Sequence, residues 1–174
     1  DLDGDGDLDA FLAMGGASNR ADQVWINGGL GIFTDSMQRL GSKDGYDVKL
    51  VDIDADGDLD AVVANSDFTA GASSNDVWLN AGDGNFGLSP GQTMISAGKN
   101  YEQTYGIDLG DLDGDGDLDA FFANVGVYPF DTDSVWLNNT RPVVTTNSPM
   151  TVAEGGTATI TSAFLSSGDV DNPA

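Results

Sequence analysis

A nine-residue acidic loop occurs three times, and it constrains this chain more than any other feature. It reads DLDGDGDLD at residues 1–9, DIDADGDLD at 52–60 and DLDGDGDLD again at 111–119. Carboxylates recur at every second position, which makes the loop an oxygen cage for a hard cation. The glycine at position six (Gly6, Gly57, Gly116) lets the backbone turn back sharply. Ca²⁺ takes about six to eight oxygens at roughly 2.3–2.6 Å in a forgiving geometry. In the second copy the expected side-chain ligands are Asp52, Asp54, Asp56 and Asp60, with Asp58 supplying its peptide carbonyl. The same assignment gives Asp1, Asp3, Asp5 and Asp9 with Asp7 in the first copy. In the third it gives Asp111, Asp113, Asp115 and Asp119 with Asp117. Up to three Ca²⁺ sites are therefore expected. Two carboxylates about 4 Å apart repel by roughly 4 kcal/mol at an effective dielectric near 20, and three such clusters in matching context argue for a counter-ion.

An EF-hand begins in the same way but needs a glutamate at position twelve and flanking helices. Position twelve here is Leu12, Val63 and Phe122, each inside an apolar run. The loop must close on its ninth residue and feed straight into a strand.

Three apolar runs follow the loops: AFLAM at 10–14, AVVAN at 61–65 and AFFAN at 120–124. Each is apolar at successive positions, as in a strand covered on both faces. After a polar connection of variable length come VWIN at 24–27, VWLN at 77–80 and VWLN at 135–138. Two copies continue through a Gly-rich turn into a phenylalanine, NGGLGIF to Phe33 and NAGDGNF to Phe86, which reads as a hairpin. Two loops are preceded by a strand, YDVKLV and YGIDLG, with Tyr46 and Tyr105 each six residues before the first Asp. One full unit is thus strand, acidic loop, strand, connection, strand, hairpin, strand, with units starting near 1, 46 and 105. Four strands at a regular spacing describe a propeller blade. No segment holds a 3.6-residue apolar period, so no helix is expected. The Trp and Phe residues are expected between blades.

These motifs resemble the FG-GAP repeats, the family of the integrin α-subunit propeller and of many secreted bacterial proteins. The DxDxDGxxD loop, the apolar strand after it and the LNxGxGxF-like hairpin carry the resemblance, over roughly residues 1–139. It implies an all-β fold, a partial β-propeller with Ca²⁺ in an inter-strand loop of each blade. The first repeat lacks its leading strand, and the third runs into NNTRP where the hairpin would be. Propellers close with about four to eight blades, so three repeats predict a longer parent chain. The chain also opens inside a loop and without Met, so the lack of a signal peptide says nothing of secretion.

From residue 141 the composition turns to Thr, Val and Ser, with turn signals at Gly155-Gly156 and Gly168-Asp169. Residues 1–140 are expected to form the propeller fragment and 141–174 the start of a second β module. The VAEGGTATIT and DVDN stretches resemble the opening of bacterial cadherin-like repeats, which implies a β-sandwich. Asp169 and Asp171 are either ligands at an inter-module Ca²⁺ site or plain loop carboxylates.

Formal net charge is −23, from 29 acidic and 6 basic residues, and fifteen of the acids lie in the three loops. Nucleic acid and anionic membranes are excluded as partners, since both are bound through Lys and Arg. No apolar run is long enough to span a bilayer as a helix. The chain has no His and no Cys, which removes the commonest general base and one nucleophile, and the clustered Asp are absorbed by the metal loops. No catalytic residue is assigned. The leading expectation is a Ca²⁺-stabilised extracellular or cell-surface scaffold for recognition or adhesion, binding a protein or polysaccharide. The connections 15–23, 66–76 and 125–134 would carry recognition. The alternative is a non-catalytic, carbohydrate-binding module of a secreted polysaccharide-active enzyme.

Overall fold

The computed structural model describes residues 1–16, 20–66, 74–87, 92–94 (backbone only), 103–125 and 133–138. These residues form ten strands and no helix. In chain order they are β1 (Ala10–Leu12), β2 (Gln23–Asn27), β3 (Phe33–Asp35), β4 (Asp44–Val51), β5 (Asp60–Ser66), β6 (Asn75–Trp78), β7 (Gln92–Met94), β8 (Gln103–Gly110), β9 (Asp119–Val125) and β10 (Ser134–Trp136). They make three antiparallel sheets, one per repeat, ordered β1-β2-β3, β4-β5-β6-β7 and β8-β9-β10. The all-β, blade-like architecture expected from the sequence is present, and the described strands form no closed ring. The expected second module, with Asp169 and Asp171, lies outside the described residues.

Among the described residues the middle sheet is the one with all four strands. Its third strand ends at a hairpin in which Asn80 and Phe86 meet as a single bridge. The fourth strand, β7, then pairs with β6 from further along the chain, Asn75 opposite Met94. In the first sheet the fourth-strand equivalent is β3, which follows its hairpin directly with Asn27 opposite Phe33. The turn glycines adopt positive φ in both hairpins, Gly29 and Gly31 in the first and Gly82 and Gly84 in the second, as a tight reversal requires.

Strand β5 lies between the two cores of the molecule. Ala61 and Val63 face one cluster, with Leu2, Phe11, Val24, Leu40, Trp78 and Phe86. Val62 and Ala64 face the other, with Val77, Ile107, Ala120 and Phe122. An apolar residue at every position is what a strand buried on both faces requires. Each buried aliphatic or aromatic side chain contributes about 1.5–3 kcal/mol relative to exposure. Among the described residues each outer sheet is packed against a sheet on one side only, and Leu12 of AFLAM and Phe121 of AFFAN are exposed, unlike the double cover expected for these runs. Trp78 and Phe86 are buried between sheets as expected, and Phe11 meets Phe86 edge-on. Phe33, on an outer face, is exposed.

Both leading strands carry a β-bulge, between Gly45 and Asp47 in β4 and between Thr104 and Gly106 in β8. The residue expelled from the ladder is a tyrosine in each case. A bulge re-aims its side chain, and here it brings Tyr46 and Tyr105 of neighbouring sheets to 4.5 Å between ring centroids.

Candidate metal centres

Each acidic loop joins two strands, or in the first repeat leads into one, and its backbone is shaped by its own carboxylates. The position-one aspartate accepts two loop amides. Asp1 takes the N–H groups of Gly4 and Gly6 at 2.8 and 3.1 Å. Asp111 takes those of Gly114 and Gly116 at 2.6 and 3.2 Å. In the second loop Asp52 takes the amides of Asp56 and Gly57 at 3.0 and 3.1 Å. The position-six glycines stand at φ of 94°, 101° and 98°, so the sharp turn foreseen there is real. Position four also has positive φ, met by Gly4 and Gly114 but by Ala55 (61°) in the second loop. Short Asx turns continue the winding, the Asp5, Asp56 and Asp115 carboxylates each accepting the amide two residues on.

This winding gathers carboxylate oxygens. Asp1, Asp3 and Asp5 bring one oxygen each within 4.8 Å of one another, as do Asp111, Asp113 and Asp115, and in the second loop Asp52, Asp54 and Asp60. Two oxygens bound to one Ca²⁺ at 2.3–2.6 Å are at most about 5 Å apart, so each trio fits a single ion of that size. The donor set is oxygen-only and carboxylate-dense, which suits Ca²⁺ and not a soft transition metal.

The position-nine aspartates do something that the loop pattern does not announce. Each spends one oxygen on the position-two amide of its own loop and the other on the Asn that ends the VWxN strand. Asp60 accepts Ile53 N–H at 3.1 Å and Asn80 N–H at 2.8 Å. Asp9 accepts Leu2 and Asn27 at 2.7 and 2.8 Å, and Asp119 accepts Leu112 and Asn138 at 2.7 and 2.9 Å. Position nine is therefore a staple that ties the loop to two strands, with lone pairs left over for a cation. The position-seven side chains of the first two loops lie toward the hairpin turns. A Cβ on Gly29 would lie 2.7 Å from Asp7 Oδ2, and one on Gly82 would lie 2.5 Å from Asp58 Oδ2. Asp7 and Asp58 thus lie against the hairpin turns, and their carbonyls remain the relevant donors in the expected ligand set.

Electrostatics are strained in the manner that a bound cation relieves. Burial pushes the Asp60 carboxyl up, against the Asn80 and Ile53 amides that lower it. Burial raises Asp54, and the Asp56 and Asp52 charges add to it. Asp113 is raised by desolvation, opposed by the Asp115 amide, with Asp115 and Asp119 adding like charge.

Two further sets of residues matter that sequence reasoning passed over. The VWxN asparagines brace the loops: Asn80 Nδ2 donates to the Leu59 carbonyl at 3.2 Å and to Leu2 of the neighbouring loop at 2.8 Å. Three residues before each Trp, an Asp or Asn side chain accepts the amide at the far end of the strand after the loop. The pairs are Asp22 with Met14 at 2.8 Å, Asn75 with Asn65 at 2.9 Å and Asp133 with Asn124 at 3.0 Å. Their fixed offset from Trp in all three repeats was the available signal. Much of the connections expected to carry recognition lies outside the described residues.

A three-fold array of antiparallel sheets, each with an acidic strand-turn loop at the same register, defines a repeat protein of the propeller-blade class. The FG-GAP-like repeat profile matches residues 1–63 and 52–122, and the chain belongs to that family. No curated protein and no solved structure gave a match.

Proposed function

We propose that this chain is a calcium-binding scaffold for extracellular recognition or adhesion, in which Ca²⁺ is structural. The observation that carries the reading is the convergence of three carboxylates in every loop, held by backbone amides at a strand junction. FG-GAP-like repeats are typical of extracellular proteins and act generally as non-catalytic scaffolds. Millimolar Ca²⁺ occurs outside cells, and extracellular modules often bind it at about 10⁻⁴–10⁻³ M. Asp1, Asp3, Asp5 and Asp9, with their counterparts Asp52, Asp54, Asp56 and Asp60 and Asp111, Asp113, Asp115 and Asp119, would hold the ion by side chains. Asp7, Asp58 and Asp117 would add carbonyls. An ion there neutralises the cluster and fixes the loop between strands. Isothermal titration in metal-stripped buffer tests this. Heat with Ca²⁺ and a weaker response to Mg²⁺ is expected, because Mg²⁺ demands a tighter octahedron. No heat with Ca²⁺, or equal affinity for Mg²⁺, overturns it.

A second reading, a carbohydrate-binding module within a polysaccharide-active chain, draws on the half-exposed Tyr46–Tyr105 pair. Aromatic faces of this kind present apolar area with a polar tip. Titration of soluble polysaccharides with tyrosine fluorescence as the readout, against Tyr105→Ala, separates it from the first.

A further inference from the structure

Strands β4 and β8 belong to neighbouring sheets and are held against each other in a fixed register. Asp47 Oδ2 accepts the Ile107 N–H across the junction at 3.1 Å, and Lys49 Nζ lies 4.0 Å from Asp108 Oδ1. These ties stand beside the two bulges, which expel Tyr46 from one ladder and Tyr105 from the other. The ring centroids come to 4.5 Å with 54° between the ring planes. That is the short end of the range for aromatic pairs, so the rings touch and nothing fits between them. The first sheet backs the pair: a Cβ on Gly15 would lie 3.6 Å from Tyr46 Cε1.

Three properties of the pair go beyond packing. Both residues are 38 % exposed, so a reagent in solution reaches them, and exposed side chains reorient within nanoseconds. The two phenols sense each other: burial chiefly raises Tyr46, and Tyr105 and then Asp44 add to it. The chain has no cysteine, so no disulfide can tie one sheet to the next.

We propose that Tyr46 and Tyr105 form an oxidative modification site, at which the two touching rings are joined as dityrosine and the second sheet is stapled covalently to the third. The oxidant is hydrogen peroxide acting through a haem peroxidase, both supplied from outside the chain. Each phenol O–H gives up one electron and one proton, which leaves two phenoxyl radicals. Their unpaired spin lies partly on the ring carbons next to the oxygen-bearing one. A carbon–carbon bond forms between one such carbon of each ring. Each of these carbons then loses its hydrogen as a proton, and each phenol oxygen takes one up. Two hydrogen atoms leave in all, and one peroxide is reduced to two waters. The link closes about 60 residues of chain, which removes loop-closure entropy from the unfolded state as a disulfide does. The linked chain therefore unfolds at higher temperature. The ring contact carries this site whether or not the loops hold Ca²⁺ or the tyrosines meet a saccharide.

Treatment of the full 174-residue chain with a haem peroxidase and limiting peroxide, in Ca²⁺ buffer, tests this. Blue dityrosine emission is expected from a product that stays monomeric in denaturing electrophoresis. Its mass should be lower by two hydrogen atoms, and its yield should not change on dilution. Trypsin should release the peptide 44–49 joined to the one that begins at Asn100, and fragmentation should place the bond on Tyr46 and Tyr105. Tyr46→Phe and Tyr105→Phe keep the ring and lose only the phenol oxygen, so each should fold by circular dichroism and lose the product, whereas Tyr101→Phe should keep it. The Tm of the linked chain should rise. Absence of dityrosine from the folded chain overturns the proposal. So does a product formed only between chains, one joined through Tyr101 or Tyr128, or one that persists in folded Tyr105→Phe. An unchanged Tm overturns the staple.

Discussion

Asp22 offers a quantitative test of how the first two sheets are joined. Its backbone bridges to Leu40, N–H to carbonyl in both directions at 2.8 and 3.0 Å. Its carboxyl is buried, accepts Met14 N–H, and is packed so closely that a Cβ on Gly45 would lie 2.8 Å from Oδ1. Asp76 adds like charge nearby, although Lys43 holds Asp76 at 2.7 Å. Burial is the largest influence, the Met14 amide opposes it, Asp76 adds to it, and the carboxyl is pushed from 3.8 to about 7. A raised folded value means that the folded chain keeps a proton which the unfolded chain gives up. The stabilisation is therefore complete below pH 3.8 and is lost as pH rises through about 7. Three units at 1.36 kcal/mol each set a ceiling of about 4 kcal/mol. Asn fills the equivalent position in the second sheet, where Asn75 Oδ1 accepts the Asn65 amide, so Asp22→Asn keeps the acceptor and removes the charge. We expect this variant to be more stable than the parent, with a gain about 2 kcal/mol larger at pH 8 than at pH 5. That difference corresponds to about 4–8 °C in Tm for a chain of this size. Urea unfolding followed by Trp fluorescence, both proteins in Ca²⁺ buffer at each pH, measures it. An equal gain at both pH values, or a loss at pH 8, would refute the burial argument.

Three further outcomes are expected. Asp60→Ala should destabilise by about 2–4 kcal/mol even in chelator, because the Ile53 and Asn80 amides lose their acceptor; urea melts without metal read this directly, and an effect confined to Ca²⁺ buffer would make position nine a ligand only. Ala55→Gly should stabilise by about 0.5 kcal/mol, since the φ of 61° strains an L residue by more than glycine loses in entropy; a destabilised variant counts against the strain. Ca²⁺ should raise Tm, about 2.7 kcal/mol per site at a hundredfold excess over Kd, and its affinity should fall on acidification sooner than ordinary carboxylates dictate, because Asp54, Asp60 and Asp113 are all raised; titrations at pH 5 and 7.5 check both.

The repeat and the order of its strands were legible because they leave periodic marks, whereas the sequence reads all three apolar runs alike and only the second is covered on both faces. An apolar residue at every position from 61 to 64 needs cover on both faces, and Val62 and Val63 have it. The turn at Gly57 was legible because it needs positive φ. The double role of Asp60 was not, because its partners lie 7 and 20 residues away, and a hydrogen bond to a backbone amide places no demand on the partner's side chain. Tyr46 and Tyr105 were visible as a matched pair, but their meeting depends on a bulge in each strand. A bulge is a count of residues between two strands, not a residue preference.

The first and third loops carry the same nine residues and are wound by the same hydrogen bonds, Asp1 to Gly4 and Gly6 and Asp111 to Gly114 and Gly116. Their leucines nevertheless end in opposite environments, Leu2 in the core and Leu112 at the surface. Local sequence therefore sets the fold of a loop, and the neighbouring sheet sets how much that loop contributes to stability. In a linear array each unit contacts only its neighbours, so stability is a sum of unit and interface contributions. Among the described residues the second sheet has two interfaces and the other two have one each. If the proposed cation sits in the first or second loop, it would also steady the carbonyl that receives the next sheet's asparagine, Leu2 for Asn80 and Ile53 for Asn138. On the proposed function, loop occupancy and inter-sheet docking would then be linked through one backbone oxygen. On the same reading, a metal that orders a single turn would in this way stiffen the stacked sheets.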